Sequence, residues 1–174
     1  SRGLGDVYKR QRWFSPAKRE TNEFIRALIS GDIESMNEYM NDVALRTFSS
    51  FDSGKHTSEK KAPENFFHGF VLGLMVDQSE NYIITSNRES GFGRYDIMLE
   101  PKDKQTQKYP GIVIEFKVIN PRKENSLEET VEAALKQIEE KNYDAELINR
   151  GVNKENIHHY GFAFKGKEVL IDGR

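Results

Sequence analysis

Cysteine is absent from the 174 residues, so disulfides and thiolate metal sites are excluded. No apolar run approaches the roughly 20 residues that a membrane-crossing helix needs. The longest, from Phe66 to Val76, is broken by His68. Neither sign of charge dominates: 26 Lys and Arg stand against 28 Asp and Glu, for a formal net charge of −2 and a pI of about 6.1. A chain so balanced has no global attraction for nucleic acid. Any such binding must come from a local basic patch, a divalent cation or another part of a larger protein. These absences fit a cytoplasmic protein without a membrane partner. The length suits one domain with a sizeable core.

The chain has no initiator methionine and enters abruptly at Arg12-Trp13-Phe14. Asp6 to Gln11 resembles the translation of a transposase adapter used in sequencing libraries, so residues 1–11 are expected to be non-native and the rest to be the tail of a longer reading frame. Residues 12–61 read as a helical linker region. Phe24, Ile25, Leu28 and Ile29 recur at helical spacing before a stop at Gly31, and Asp32 can cap a second helix striped by Ile33, Met36, Tyr39, Met40 and Val43. Phe48 to Lys61 is polar, has no periodicity and reads as a loop.

Residues 62–174 carry the chemistry. Pro63 opens a strongly apolar helix, and Glu64, His68, Val71, Leu72 and Met75 share one side of it. Strands are expected at Tyr82 to Ser86, Arg94 to Leu99 and Gly111 to Val118, with a turn at Asn87 to Gly93 and a polar loop from Pro101 to Pro110. Ser126 caps a helix with Glu129 at the third position of a capping box, and Leu127, Val131, Ala134, Leu135 and Ile138 form its stripe, with Gln137 on the shoulder. Two further strands, Tyr160 to Phe164 and Glu168 to Ile171, complete an order of helix, three strands, helix, two strands. That order implies an α/β fold with a central mixed sheet flanked by helices.

Inside the most apolar of these strands stand two opposite charges, Glu115 and Lys117. Alternation puts both on the side of Val113, with Ile112, Ile114 and Phe116 on the other. A charge buried without partner or metal costs several kcal/mol, so such residues in such a strand mark a site. The spacing alone is weak, because Glu59-Lys60-Lys61 and Glu139-Glu140-Lys141 share it in a loop and on a helix. An ion pair on an edge strand is the competing reading. Asp96, in the neighbouring strand, also lies on the face away from a purely apolar one, and strands are spaced roughly 4.8 Å apart. Two carboxylates within reach of one cation, without cysteine, point to Mg²⁺ or Mn²⁺. Lys117 could orient or help deprotonate a metal-bound water, or neutralise charge on a phosphodiester under attack.

With Asp96 as its aspartate and Glu115-Phe116-Lys117 as its E-x-K, the sequence resembles the PD-(D/E)XK nuclease superfamily. Within it, the likeness is to the domain that follows an AAA-ATPase-like domain in bacterial proteins. It is carried by Glu64 to Gly69, Ser86 to Asp96, Ile114 to Lys117, Ala134 to Ile138 through Tyr143, and Tyr160 to Lys167. Tyr95 stands where the superfamily's motif has proline. The resemblance implies a restriction-endonuclease-like αβββαβ core and hydrolysis of nucleic acid, expected to be DNA. It implies an ATPase-like domain upstream. Asp96, Glu115 and the backbone carbonyl of Phe116 would bind Mg²⁺ or Mn²⁺, Lys117 would act at the scissile phosphate, Glu64 would support the metal site and Gln137 would match an extra helix residue. The alternative is a catalytically weak or inactive regulatory module of the same fold that binds nucleic acid or protein.

Other candidates have plainer readings. Glu64 could pair with Arg94 or cap its helix, and Arg94 could contact phosphate or hold Glu64 or Asp96 in place. His68 reads as a hydrogen-bonded core histidine ahead of a ligand. His158-His159 has no acid at useful spacing and reads as surface. Lys165 and Lys167 read as a solvated turn ahead of a phosphate contact.

Overall fold

The computed structural model describes residues 23–48, 62–86 and 96–174. Residues 1–11, the loop after Phe48, the turn at Asn87 to Gly93 and Arg94 lie outside the described residues, as does the side chain of Glu64.

Five strands form one sheet in the order β1-β2-β3-β4-β5: Tyr82–Ser86, Ile97–Pro101, Gly111–Val118, Ile157–Lys165 and Glu168–Gly173. Only β3 and β4 run parallel, and the other neighbours are antiparallel. A parallel pair needs a long crossover, and this one contains α4 (Leu127–Glu140) and α5 (Asp144–Asn149). The other face carries α1 (23–30), α2 (Ile33–Phe48) and α3 (Ala62–Met75). The expected mixed α/β architecture is therefore present, with an N-terminal helical region.

Alternation along the strands builds two cores. Ile97, Leu99, Ile112, Ile114, Phe116, Phe162 and Phe164 meet Phe24, Leu28, Met36, Met40, Phe67 and Val71 from the first three helices in one cluster. The N-terminal helices thus share a core with the sheet. On the opposite face Met98, Val113 and Ile157 pack with Ile138, Tyr143, Leu147 and Val152.

Several boundaries differ from the sequence reading. Strand β2 runs from Ile97 to Pro101, with Asp96 in the bend immediately before it. Strand β4 begins at Ile157, three residues earlier than expected, because His158 and His159 pair with Ile112 and Val113 and so extend the ladder through two polar residues. Helix α5 was not anticipated; its short span has too few turns to show a periodicity. Ser126 does cap α4, accepting from the Glu129 N–H, but the Glu129 carboxylate reaches back to the N–H of Asn125 at 2.8 Å.

Strand β5 is an edge, and α2 closes it. Asn37 accepts from the Ile171 N–H and donates to the Ile171 carbonyl, both at 2.8 Å. One helical turn on, Asn41 does the same to Val169 at 3.1 and 2.8 Å. Two side-chain amides thus stand in for a missing neighbouring strand and block edge pairing. Removing one leaves a part-buried N–H and C=O unmatched, so Asn37→Ala and Asn41→Ala are each expected to cost about 1–3 kcal/mol, read as a lowered urea midpoint.

Tyr160 donates its hydroxyl hydrogen to the Leu28 carbonyl at 2.6 Å, so at 3.2 Å its oxygen accepts from His158 Nδ1. Burial, and secondarily His159, lower the His158 pKa below its ordinary 6.5. The unfolded chain therefore takes up this proton first as pH falls, and stability declines below about pH 6.5 until the folded histidine also titrates. His158→Gln should flatten that part of a stability–pH profile measured by urea denaturation.

Candidate active site

Strand β3 supplies the central residues. Its first six residues are buried, and Glu115 is only 6% exposed. Ile97 pairs with Ile114 and Met98 with Val113, so one further step along the ladder sets Asp96 across from Glu115. Met98 and Val113 pack beneath α4 and α5, and alternation puts Asp96 and Glu115 on that same face. The two acids therefore share a face, as the proposed ion site requires.

Both are held in place. The Phe116 N–H donates to Asp96 Oδ2 at 2.7 Å, and the Asp96 N–H donates to the Ile114 carbonyl at 3.2 Å. A strand residue turns its N–H and C=O toward the same neighbour, so the Phe116 carbonyl is turned to the side of Asp96, beyond the end of the β2 ladder. From α4, Gln137 donates its amide to Glu115 Oε1 at 2.7 Å. The shoulder position read from the sequence thus reaches the β3 acid directly. Lys117 is half-buried on the same face, and among the described residues it has no ion-pair partner.

Close packing of α4 on β4 makes the Gln137 contact possible. Gly161 pairs with Glu115 in the ladder, and a Cβ there would lie 2.9 Å from the Val131 carbonyl and 3.1 Å from Ala134 Cβ. A glycine is required because the helix backbone comes this near.

Sequence reasoning assigned no role to Tyr143, although it closes the Ala134-to-Tyr143 stretch. The structure buries it beside the two acids. Burial raises its phenol pKa first; the nearby Gln137 amide opposes that, and the negative charges of Glu115 and Asp96 raise it further. It stays a neutral hydroxyl at physiological pH and senses both carboxylates.

His68 lies on the opposite side of the sheet. It is 7% exposed, its Nε2 is 3.0 Å from Ser86 Oγ and 3.4 Å from the Asp96 carbonyl, and its ring meets Phe116 edge-on at 5.6 Å. This is the hydrogen-bonded core histidine, placed under the backbone of Asp96 and Phe116. The surface reading of His158-His159 is corrected: His159 Nε2 is 2.6 Å from Asp144 Oδ1, both groups largely buried, and His158 bonds Tyr160. The acid comes from α5, which the sequence did not reveal.

Among the described residues no three or more His, Cys, Asp or Glu side chains form a metal-binding group. The donor set at hand is two carboxylates and a main-chain carbonyl, all hard oxygens. That count and chemistry fit Mg²⁺ or Mn²⁺, since Mg²⁺ keeps several waters and takes one or two carboxylates. Among the described residues no helix is long and apolar enough to cross a membrane.

A family model for the PD-(D/E)XK nuclease superfamily matches residues 62–173, well over half of the chain. No curated protein and no solved structure matches.

Proposed function

Because this chain belongs to the PD-(D/E)XK nuclease superfamily, we propose that it hydrolyses phosphodiester bonds in DNA, with Mg²⁺ or Mn²⁺ held by Asp96, Glu115 and the Phe116 carbonyl. The supporting observation is the placement of Asp96 across from Glu115 on one face, with Lys117 two residues along that face.

Held by these oxygens, the cation would supply acidification of the attacking water and charge stabilisation at a phosphoryl oxygen. The chain's own residues do the rest. The Phe116 N–H and the Gln137 amide fix one oxygen each of Asp96 and Glu115, which leaves their orientation set before substrate arrives. Lys117 orients the attacking water and neutralises charge on the non-bridging oxygens as the new P–O bond forms. The proton lost by the attacking water passes to solvent, the bridging P–O bond breaks, and the departing oxygen takes up a proton from solvent. His68 and Ser86 support the Asp96 backbone from behind. Glu64 supports the metal site, in line with the family's pattern, and Arg94 contacts the substrate phosphate or holds Glu64 or Asp96 in place. By its likeness to the domain that follows an AAA-ATPase-like domain in bacterial proteins, we place an ATPase-like domain upstream.

The test is cleavage of single-stranded, double-stranded and circular DNA, and of RNA, with Mg²⁺, Mn²⁺ or chelator, by wild type, Asp96→Ala and Lys117→Ala. Metal-dependent cleavage of DNA that disappears in both variants is expected. Equal residual cleavage by all three proteins would mark a contaminant and sink the assignment.

A further inference from the structure

An open groove of about 810 Å³ runs from Glu115 and Lys117 along the end of β3 to the loop at Asn120 and Lys123, walled on the far side by Glu129 of α4. From Glu115 to Ile119 it follows about 13 Å of strand, well beyond the reach of one phosphate. Its charges are arranged in an ordered way. Glu124 accepts the Asn120 N–H at 2.6 Å and Glu129 accepts the Asn125 N–H at 2.8 Å. Both acids are thus drawn onto the loop backbone in charge-assisted bonds. Asn120 in turn accepts from the N–H groups of Lys123 and Glu124 through its carbonyl and from Arg122 through its side chain. The loop is thereby rigid where it presents Lys123. Among the described residues Lys123, like Lys117, has no ion-pair partner.

We infer that this groove is the track for the nucleic-acid strand leaving the active site, and that Lys123 binds a backbone phosphate flanking the one that Lys117 faces. The inference rests on the nuclease reading. It adds a second phosphate site, on a loop the catalytic motif does not include. It also names the local cations a polyanion could meet on a chain with net charge −2: among the described residues Lys117 and Lys123 line this groove without ion-pair partners, and its loop-side acids, Glu124 and Glu129, are hydrogen-bonded to backbone N–H groups.

The experiment is binding of a fluorescein-labelled DNA oligonucleotide, single-stranded and duplex, to the full chain in chelator, where no cleavage occurs, over a series of salt concentrations. Lys123→Ala should weaken binding about 3- to 10-fold at ~0.1 M salt and reduce the slope of log affinity against log salt by about 0.7 to 0.9, the signature of one lost phosphate contact. Lys123→Arg should retain both. Lys154→Ala, at the opposite end of the sheet, should match wild type. Salt-dependent binding by wild type that Lys123→Ala leaves unchanged in affinity and slope would overturn the track while leaving the nuclease reading standing. No salt-dependent binding by wild type at all would overturn both.

Discussion

Lys117→Ala is expected to slow single-turnover DNA cleavage by about 10²- to 10⁴-fold at saturating Mg²⁺, the range typical of losing a positioned proton-transfer or charge-stabilising group. Metal affinity should not fall, because the oxygens that would hold the cation are on Asp96, Glu115 and Phe116 and loss of the ammonium removes a repulsion. Stability should change by less than about 1 kcal/mol, since the side chain is half-buried and has no ion-pair partner among the described residues. The split is the informative part. Full loss of rate with intact metal binding and folding puts Lys117 at the reacting phosphate. A rate within a few-fold of wild type, with only KM raised, would make it a substrate-binding cation and move the chemistry elsewhere.

Gly161→Val should show the second large effect, in stability and activity together. Its first added carbon falls 2.9 Å from the Val131 carbonyl, which belongs to helix backbone and has no rotamer by which to retreat. Helix α4 must therefore lift from β4, at a cost of about 3 kcal/mol, or roughly 6–12 °C in Tm for a domain of this size. The same helix carries Gln137, so its 2.7 Å bond to Glu115 should be lost and cleavage should fall even where the protein remains folded. Gly161→Ala is the milder test, with the same sign in both readouts. An unchanged urea midpoint for Gly161→Val would show that α4 is not seated on β4 as described.

Much of this was legible in the chain because the relevant signals are local. The apolar run at Gly111 to Val118 and its two out-of-place charges identified β3 and its face, and the period of two carried Asp96 to the same face across the β2–β3 ladder. The stripe and cap of α4 were equally readable, since Ser126 and the buried Val131, Ala134, Leu135 and Ile138 obey helix spacing. What the sequence could not show depended on where distant elements meet. The pairing of His159 with Asp144 requires knowing that a six-residue helix forms at α5 and folds back beside β4. Placing Tyr143 next to the two acids needs the same knowledge, although its position at the end of a motif stretch was a hint. Likewise the Asn37 and Asn41 clamps look like ordinary polar positions on α2 until β5 is known to be an edge. Gly161 marked only an apolar strand; the reason for a glycine emerges from the helix that crosses it.

The central claim is that Asp96 and Glu115 hold one ion between them. Titration of Mn²⁺ followed by electron paramagnetic resonance, on wild type, Asp96→Asn and Glu115→Gln, addresses it without depending on any substrate. One bound Mn²⁺ in wild type, weakened by at least about tenfold in each variant while both keep a wild-type urea midpoint within about 1 kcal/mol, is the expected result. Mn²⁺ binding of equal strength in all three proteins, or none in wild type, would contradict it.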